Sequence, residues 1–281
     1  MILTINGGSS SIKFSFFTTA LEPKIKGKID RMGLASPHLT YTEYPSGYET
    51  TSDMPASGLE QAANSFADWL EKLHGFHEIQ AIGHRIVNGM EYDQPVRVDD
   101  HFLARLKELC QYDPDHLPQE LLLMQILRHR HPDIPQIACF DTSFHAGLPK
   151  VARIFPVPRR FYEAGIRRYG FHGLSYTYLM HKLPDLAGDG VANSRIILAH
   201  LGSGASLTAV KDGKSIDTSM GFTPAGGIMM GTRPGDLDPG AVWAMIQKEQ
   251  LSPQQLNDLI PVERKGCIGG PFQPTELLIY P

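Results

Sequence analysis

Two segments in different halves of the chain share one plan. Residues 2–17 pass from an apolar run through the turn Asn6-Gly-Gly-Ser-Ser-Ser11 into the alternating Ile12-Lys-Phe-Ser-Phe16. Residues 195–211 repeat it with Ile196-Ile-Leu-Ala-His200, the turn Leu201-Gly-Ser-Gly204, and Ala205-Ser-Leu-Thr-Ala-Val210. Each reads as strand, Gly/Ser turn, strand. One such hairpin is commonplace. Two suggest a duplicated architecture with a pair of phosphate-cradling turns, because glycine lets consecutive backbone N–H groups approach an anion closely.

Between the repeats, helical and strand patterns alternate. Leu59–Leu73 carries apolar residues at helical spacing and is followed by a strand, Ile79-Gln-Ala-Ile82, ending at Gly83-His-Arg85. Phe102–Leu109 and Leu121–Arg130 read as helices, the second closing on basic residues that suit a helix C-terminus. Ile134–Phe140 reads as a buried strand ending at Asp141. This alternation predicts an α/β fold with a largely covered sheet. The segment Pro149–Pro158 is the expected crossover, giving domains at 1–150 and 151–281.

Composition narrows the function. Hydrophobic residues make up 42% and charged residues 20% of the 281, as in ordinary globular chains. The net charge of −4 comes without any basic block, so neither nucleic acid nor an anionic membrane is an expected partner. The apolar stretches are too short to cross a bilayer, and no signal peptide is read at the start. Cys110, Cys139 and Cys267 include no C-x-x-C pair, which fits a reducing cytoplasm and no structural zinc. Any bound phosphate is then held by backbone N–H groups, a metal, or single Arg and Lys residues.

Four residues stand out for such work. Lys13 follows the first turn on its second strand, where it could reach a phosphate oxygen or simply be solvated. Asp141 lies past the end of a buried strand, where open α/β sheets place ligands, although an Asp there also starts turns. His172, in Arg167-Arg-Tyr-Gly-Phe-His-Gly173, is a candidate donor or an ordinary satisfied side chain. Arg233 sits in a Gly/Pro-bounded loop beside Asp236 and Asp238, and its forked cation suits carboxylate or phosphoryl oxygens.

Six stretches, in order, together resemble the acetate kinase (acetokinase) family of the sugar kinase/Hsp70/actin superfamily. They are Ile5-Asn-Gly-Gly-Ser-Ser-Ser-Ile-Lys13, Gly83-His-Arg-Ile-Val87, Phe140-Asp-Thr-Ser-Phe-His145, Arg167–Gly173, His200-Leu-Gly-Ser-Gly-Ala205, and Ser215–Pro224 with Gly231-Thr-Arg233. The resemblance implies a two-domain, duplicated actin-like ATPase (ribonuclease H-like) fold with its active site between the domains. It implies Mg²⁺ (or Mn²⁺) at Asn6, nucleotide phosphate at Lys13 and at His200, Leu201, Gly202, Ser203 and Gly204, and the acyl substrate at Arg85 and His116. Val87, Phe171 and Pro224 would line a pocket for the substrate methyl, and Asp141, His172 and Arg233 would be catalytic. The implied reaction is reversible phosphoryl transfer from ATP to acetate or another short-chain carboxylate, in a cytoplasmic homodimer.

The sequence departs from the family in four places, the first being a harmless Gly7 where the family usually has Ala. Asn88-Gly-Met90 replaces a His-Gly-Gly, and Asp115 stands where a leucine lines the methyl pocket. A carboxylate in an apolar pocket is costly, so either the loop Asp113–Pro118 is repositioned or the acyl preference differs from plain acetate, with a propionate or butyrate kinase as the alternative reading. The stretch from Lys265 to Pro281 leaves the family pattern like a substituted tail. The second domain is therefore expected to be incomplete, lacking adenosine-binding loops, and an inactive remnant is the competing expectation.

Overall fold

The computed structural model describes residues 1–8, 11–30, 37–54, 58–114 and 116–260. Ser9 and Ser10 of the first turn, Asp115 and the tail from Lys265 lie outside the described residues. The chain forms two compact units, Met1–Ser143 and Phe144–Pro281.

In the first unit, strands β1 (Ile2–Gly7), β2 (Ser11–Phe17), β3 (Pro23–Asp30), β4 (His38–Glu43) and β5 (Tyr48–Asp53) precede helix α1 (Leu59–Lys72). Strands β6 (Ala81–Ile86) and β7 (Val96–Arg97), helices α2 (Asp100–Leu109) and α3 (Leu117–Arg130), and strand β8 (Gln136–Phe140) follow. They build one mixed sheet in the order β5-β4-β3-β2-β1-β6-β8-β7. Strands β1, β6 and β8 run parallel, and β2 to β5 continue from β1 as an antiparallel meander.

Alternation sets which face is buried. Leu3, Ile5, Phe14 and Phe16 point into a core shared with Phe66 and Leu70 of α1 and Leu123 and Leu127 of α3. The Phe14 ring lies 5.1 Å from Phe66 and 5.0 Å from Trp69. Gly27, opposite Phe14 in the register, leaves room for that ring: a Cβ there would come within 2.3 Å of it. The helical stripe of α1 is Ala62, Ala63, Phe66, Ala67 and Leu70, the i, i+4, i+8 pattern of a one-faced helix.

On the other face Lys13, Lys24, Lys26 and Lys28 are exposed. The expected covered sheet is thus found only at β6 and β8, where no residue is exposed. The meander is amphipathic, with one face solvated as antiparallel sheets permit.

The second unit holds α4 (Lys150–Arg153), α5 (Arg159–Glu163), α6 (Gly173–Ala187) and α7 (Asp189–Ala192). An antiparallel sheet follows, made of β9 (Arg195–Leu201), β10 (Ala205–Lys211) and β11 (Lys214–Thr218) in the order β11-β10-β9. Helices α8 (Pro239–Glu249) and α9 (Pro253–Leu259) complete the described residues. Asp238 caps α8 by accepting from the N–H groups of Gly240 and Ala241, and Ser252 with Gln255 forms a capping box on α9. Among the described residues β9 pairs only with β10. Its outer face exposes Ile197 at 73% and Leu201 at 68%, and Trp243 of α8 is 63% exposed. Among the described residues no helix is long and apolar enough to cross a membrane.

Candidate functional site

In the first unit, strand register collects the candidate residues in one row. Asn6 of β1 is opposite Lys13 of β2 on one side and Arg85 of β6 on the other. The row lies at the C-terminal ends of parallel strands, where β8 also delivers Asp141 one residue past its end. Arg85 joins them: its Nε and Nη2 donate to Asp141 Oδ2 at 3.0 and 2.5 Å, and its Nη1 donates to Asn6 Oδ1 at 2.9 Å. Burial alone would lower the Arg85 pKa, but the Asp141 carboxylate outweighs it, so the guanidinium is held more firmly charged than usual. Asp141 is 2% exposed, whereas Lys13 stands in solvent.

Two residues after Arg85, the backbone N–H of Val87 lies 3.1 and 3.3 Å from the two carboxyl oxygens of Glu120. Glu120 is in the first turn of α3 and only 2% exposed. Burial, and then the Asp113 charge, push its pKa well above the usual carboxylate value. His116 precedes α3, and its Nδ1 is 2.8 Å from Asp113 Oδ1, while among the described residues Asp113 Oδ2 is buried without a hydrogen-bond partner. Val87 and Asp141 are both buried. Glu120 and Asp113 escaped the sequence reading. The visible signal was a lone Glu inside the apolar run Leu117-Pro-Gln-Glu-Leu-Leu-Leu123.

The second unit has its own cluster. His172 immediately precedes α6 as its N-terminal cap position, with φ 63°, in the left-handed region that non-glycine residues seldom adopt. Its Nδ1 is 2.9 Å from Ser206 Oγ, which is also 2.5 Å from the Tyr176 hydroxyl. The His172 ring stacks on His200 with centroids 4.0 Å apart, and His200 Nδ1 is 3.0 Å from Ser175 Oγ. Gly204 closes the group. A Cβ on it would lie 3.1 Å from His172 Nε2 and 3.4 Å from Arg233 Nη1. The β9–β10 turn therefore brings its glycine against both residues, and its own Gly202 N–H donates to Gly204 O at 3.0 Å. Leu201, Gly202 and Ser203 are exposed.

Arg233 rides on a self-closed loop. Gly227 N–H donates to Asp236 Oδ1 at 2.7 Å, Asp236 N–H returns to Gly227 O, and Met230 N–H donates to Arg233 O. Arg233 Nη1 donates to Pro224 O at 3.3 Å. Asp236 is thus a loop staple and Asp238 a helix cap, which accounts for both acids beside Arg233. Arg168 braces the preceding stretch by donating to the carbonyls of Ala152, Thr218, Ser219 and Met220. Phe171 is buried, and its carbonyl accepts from His145 Nε2 at 3.1 Å.

The comparisons with known proteins agree with one another. The acetokinase family model matches residues 1–269. An acetate kinase of Rhodopseudomonas palustris is 40% identical over 275 residues, covering 96% of this chain and 69% of that protein. A propionate kinase of Citrobacter rodentium is 40% identical over 274 residues, covering 95% of this chain and 67% of that protein. Among solved structures, the acetate kinase of Porphyromonas gingivalis matches with a TM-score of 0.80 and 32% identity over 92% of this chain and 67% of that chain. A propionate kinase of Francisella tularensis gives 0.85 and 29%, over 93% and 67%. The fold is that of the actin-like ATPases. Within that class, the chain belongs to the acetokinase family.

Proposed function

We propose that the protein is an ATP-dependent kinase for a short-chain carboxylate, with acetate as the first substrate to consider. The observation that carries this reading is Arg85, fixed by Asp141 and Asn6 at the strand ends. A carboxylate substrate is already ionised at neutral pH, so no base is needed to create the nucleophile. The difficulty is bringing one anion to another, and a forked, permanently charged donor answers it.

In this reading the acid's oxygen attacks the γ-phosphorus of ATP, the bond to ADP breaks, and no proton is released. Arg85 and His116 bind the carboxylate, while Val87, Phe171 and Pro224 shelter its alkyl end. Lys13 and the stretch His200, Leu201, Gly202, Ser203 and Gly204 hold the nucleotide phosphates. His172 and Arg233 donate to the equatorial oxygens, where charge spreads during transfer. Asp141 sets geometry. In this reading the first domain, 1–150, takes the acid and phosphate, and the second, 151–281, is the nucleotide-binding domain.

The residues also fit Mg²⁺ (or Mn²⁺). Among the described residues no group of three or more His, Cys, Asp and Glu could hold a metal alone. Mg²⁺ typically uses only one or two protein carboxylates together with substrate phosphates. Asn6 Oδ1 and Asp141 Oδ1, the Asp141 oxygen that takes neither Arg85 bond, are hard oxygen donors of that kind. When bound, the metal neutralises charge on the phosphates.

Propionate is the second reading, favoured by the Citrobacter rodentium relative named a propionate kinase. The expected setting is a cytoplasmic homodimer. Trapping acyl phosphate as hydroxamate, with acetate, propionate and butyrate and MgATP, tests the function. Saturable, ATP-dependent hydroxamate with at least one acid is the expected result, and none with all three would remove the reading.

A further inference from the structure

Glu120 is the buried ionisable group that the proposed chemistry leaves without a task. It is anchored on α3 and accepts the backbone N–H of Val87, the residue just past β6. That N–H follows the end of β6 and has no strand partner in the register, since β6 pairs with β1 through Arg85 and with β8 through Ile86. A buried N–H left unpaired loses its hydration with nothing in return, so the acceptor is not optional. The same short stretch carries Arg85 and Val87, two residues assigned above to the acid. The helix therefore grips the strand at the point where it leaves the sheet.

We propose that Glu120 is a positioning residue for the acid site: by accepting the Val87 N–H it fixes the strand end that presents Arg85 and Val87 to the substrate carboxylate. The inference rests on the acid-kinase reading above. The groups facing Glu120 are Asp113, Arg85 and Asp141, with Asp113 the strongest influence after burial. Burial and the two aspartates disfavour charge on Glu120, and the contact it makes needs only an oxygen acceptor. Glutamine would serve almost as well, because its side-chain oxygen accepts the same N–H.

The test compares Glu120→Gln with Glu120→Leu, which keeps bulk but offers no acceptor. Propionate is titrated into ¹⁵N-labelled protein, and KM values for acid and ATP are measured alongside. Glu120→Leu should weaken acid binding at least tenfold, leave KM for ATP within twofold, and speed hydrogen exchange at the Val87 amide. Glu120→Gln should stay within threefold of the parent throughout. Parent-like acid affinity in Glu120→Leu overturns the proposal, as does equal loss for acid and ATP, which would mean general damage. If Glu120→Leu does not fold, Glu120→Asp carries the comparison: it withdraws the carboxyl by one methylene and should weaken acid binding in the same selective way, and unchanged affinity there overturns the proposal. A parent protein that binds no short-chain acid removes the functional reading instead. Val87 exchange then decides the Glu120 contact, and equal exchange in parent and variant overturns it.

Discussion

At the scale of the residue, the molecule treats its arginines very differently. Arg85 is fixed by Asn6 and Asp141 with its side chain 30% exposed, Arg168 is absorbed by backbone carbonyls, and Arg233 donates to Pro224 O beside Gly204 and His172. Arg85→Ala and Arg233→Ala should each lower kcat/KM for acyl phosphate formation at least tenfold, about 1.4 kcal/mol of transition-state stabilisation. Steady-state kinetics would check this, and activity within threefold of the parent would take that arginine out of the site. Most of these positions were legible because they sit in local motifs, where adjacent residues carry the signal together. Glu120 and Asp113 were not, because their importance comes from burial beside Val87 and Arg85, which residues far along the chain create. Asp236 and Asp238 were noticed for their proximity to Arg233, yet each binds backbone N–H groups instead.

At the scale of the element, β6 carries a titratable group in its interior. His84 is buried, its Nε2 is 2.7 Å from Gln136 Oε1 on β8, and burial pulls its pKa down from 6.5 to about 4. It is neutral when folded. In the unfolded chain it takes up a proton near pH 6.5, so the unfolded state binds more protons between those values and stability falls as pH drops from 6.5 to 4. At 1.36 kcal/mol per pKa unit, the loss is at most about 3 kcal/mol. Urea unfolding at several pH values should show a shallower slope in His84→Asn than in the parent over that window, and an identical slope would exclude His84 as the cause. Element by element, α1 and the two phosphate-turn hairpins could be read from period and turn residues. The meander β3–β5 was missed because its solvated face is lysine and threonine rather than an apolar run, and β6 begins two residues later than the pattern suggested. The starts of α8 and α9 were present in Asp238-Pro239 and Ser252-Pro253, but their helices have no buried residue, so no apolar stripe pointed to them.

At the scale of the whole molecule, the apolar surface is unevenly distributed. The first unit encloses Phe14, Phe16 and Phe66 in the core of α1 and the sheet, although Leu21 and Tyr48 are exposed, while the second leaves Ile197, Leu201, Trp243, Tyr178 and Leu186 exposed. Large exposed apolar side chains favour association. The polypeptide of residues 1–281 should therefore enhance the fluorescence of a hydrophobic dye and sediment as a mixture of sizes, and Ile197→Lys with Leu201→Glu should reduce both. A single monomeric boundary for the parent would contradict this. Among the described residues the outer edge of β9 has no partner strand, which adds direction to that stickiness, since such an edge offers a second chain a ready partner. Pairing of two such edges is a bimolecular event. Its rate grows with the square of the amount in solution, so dilution would protect this molecule more than cooling, which leaves the edge as open as before.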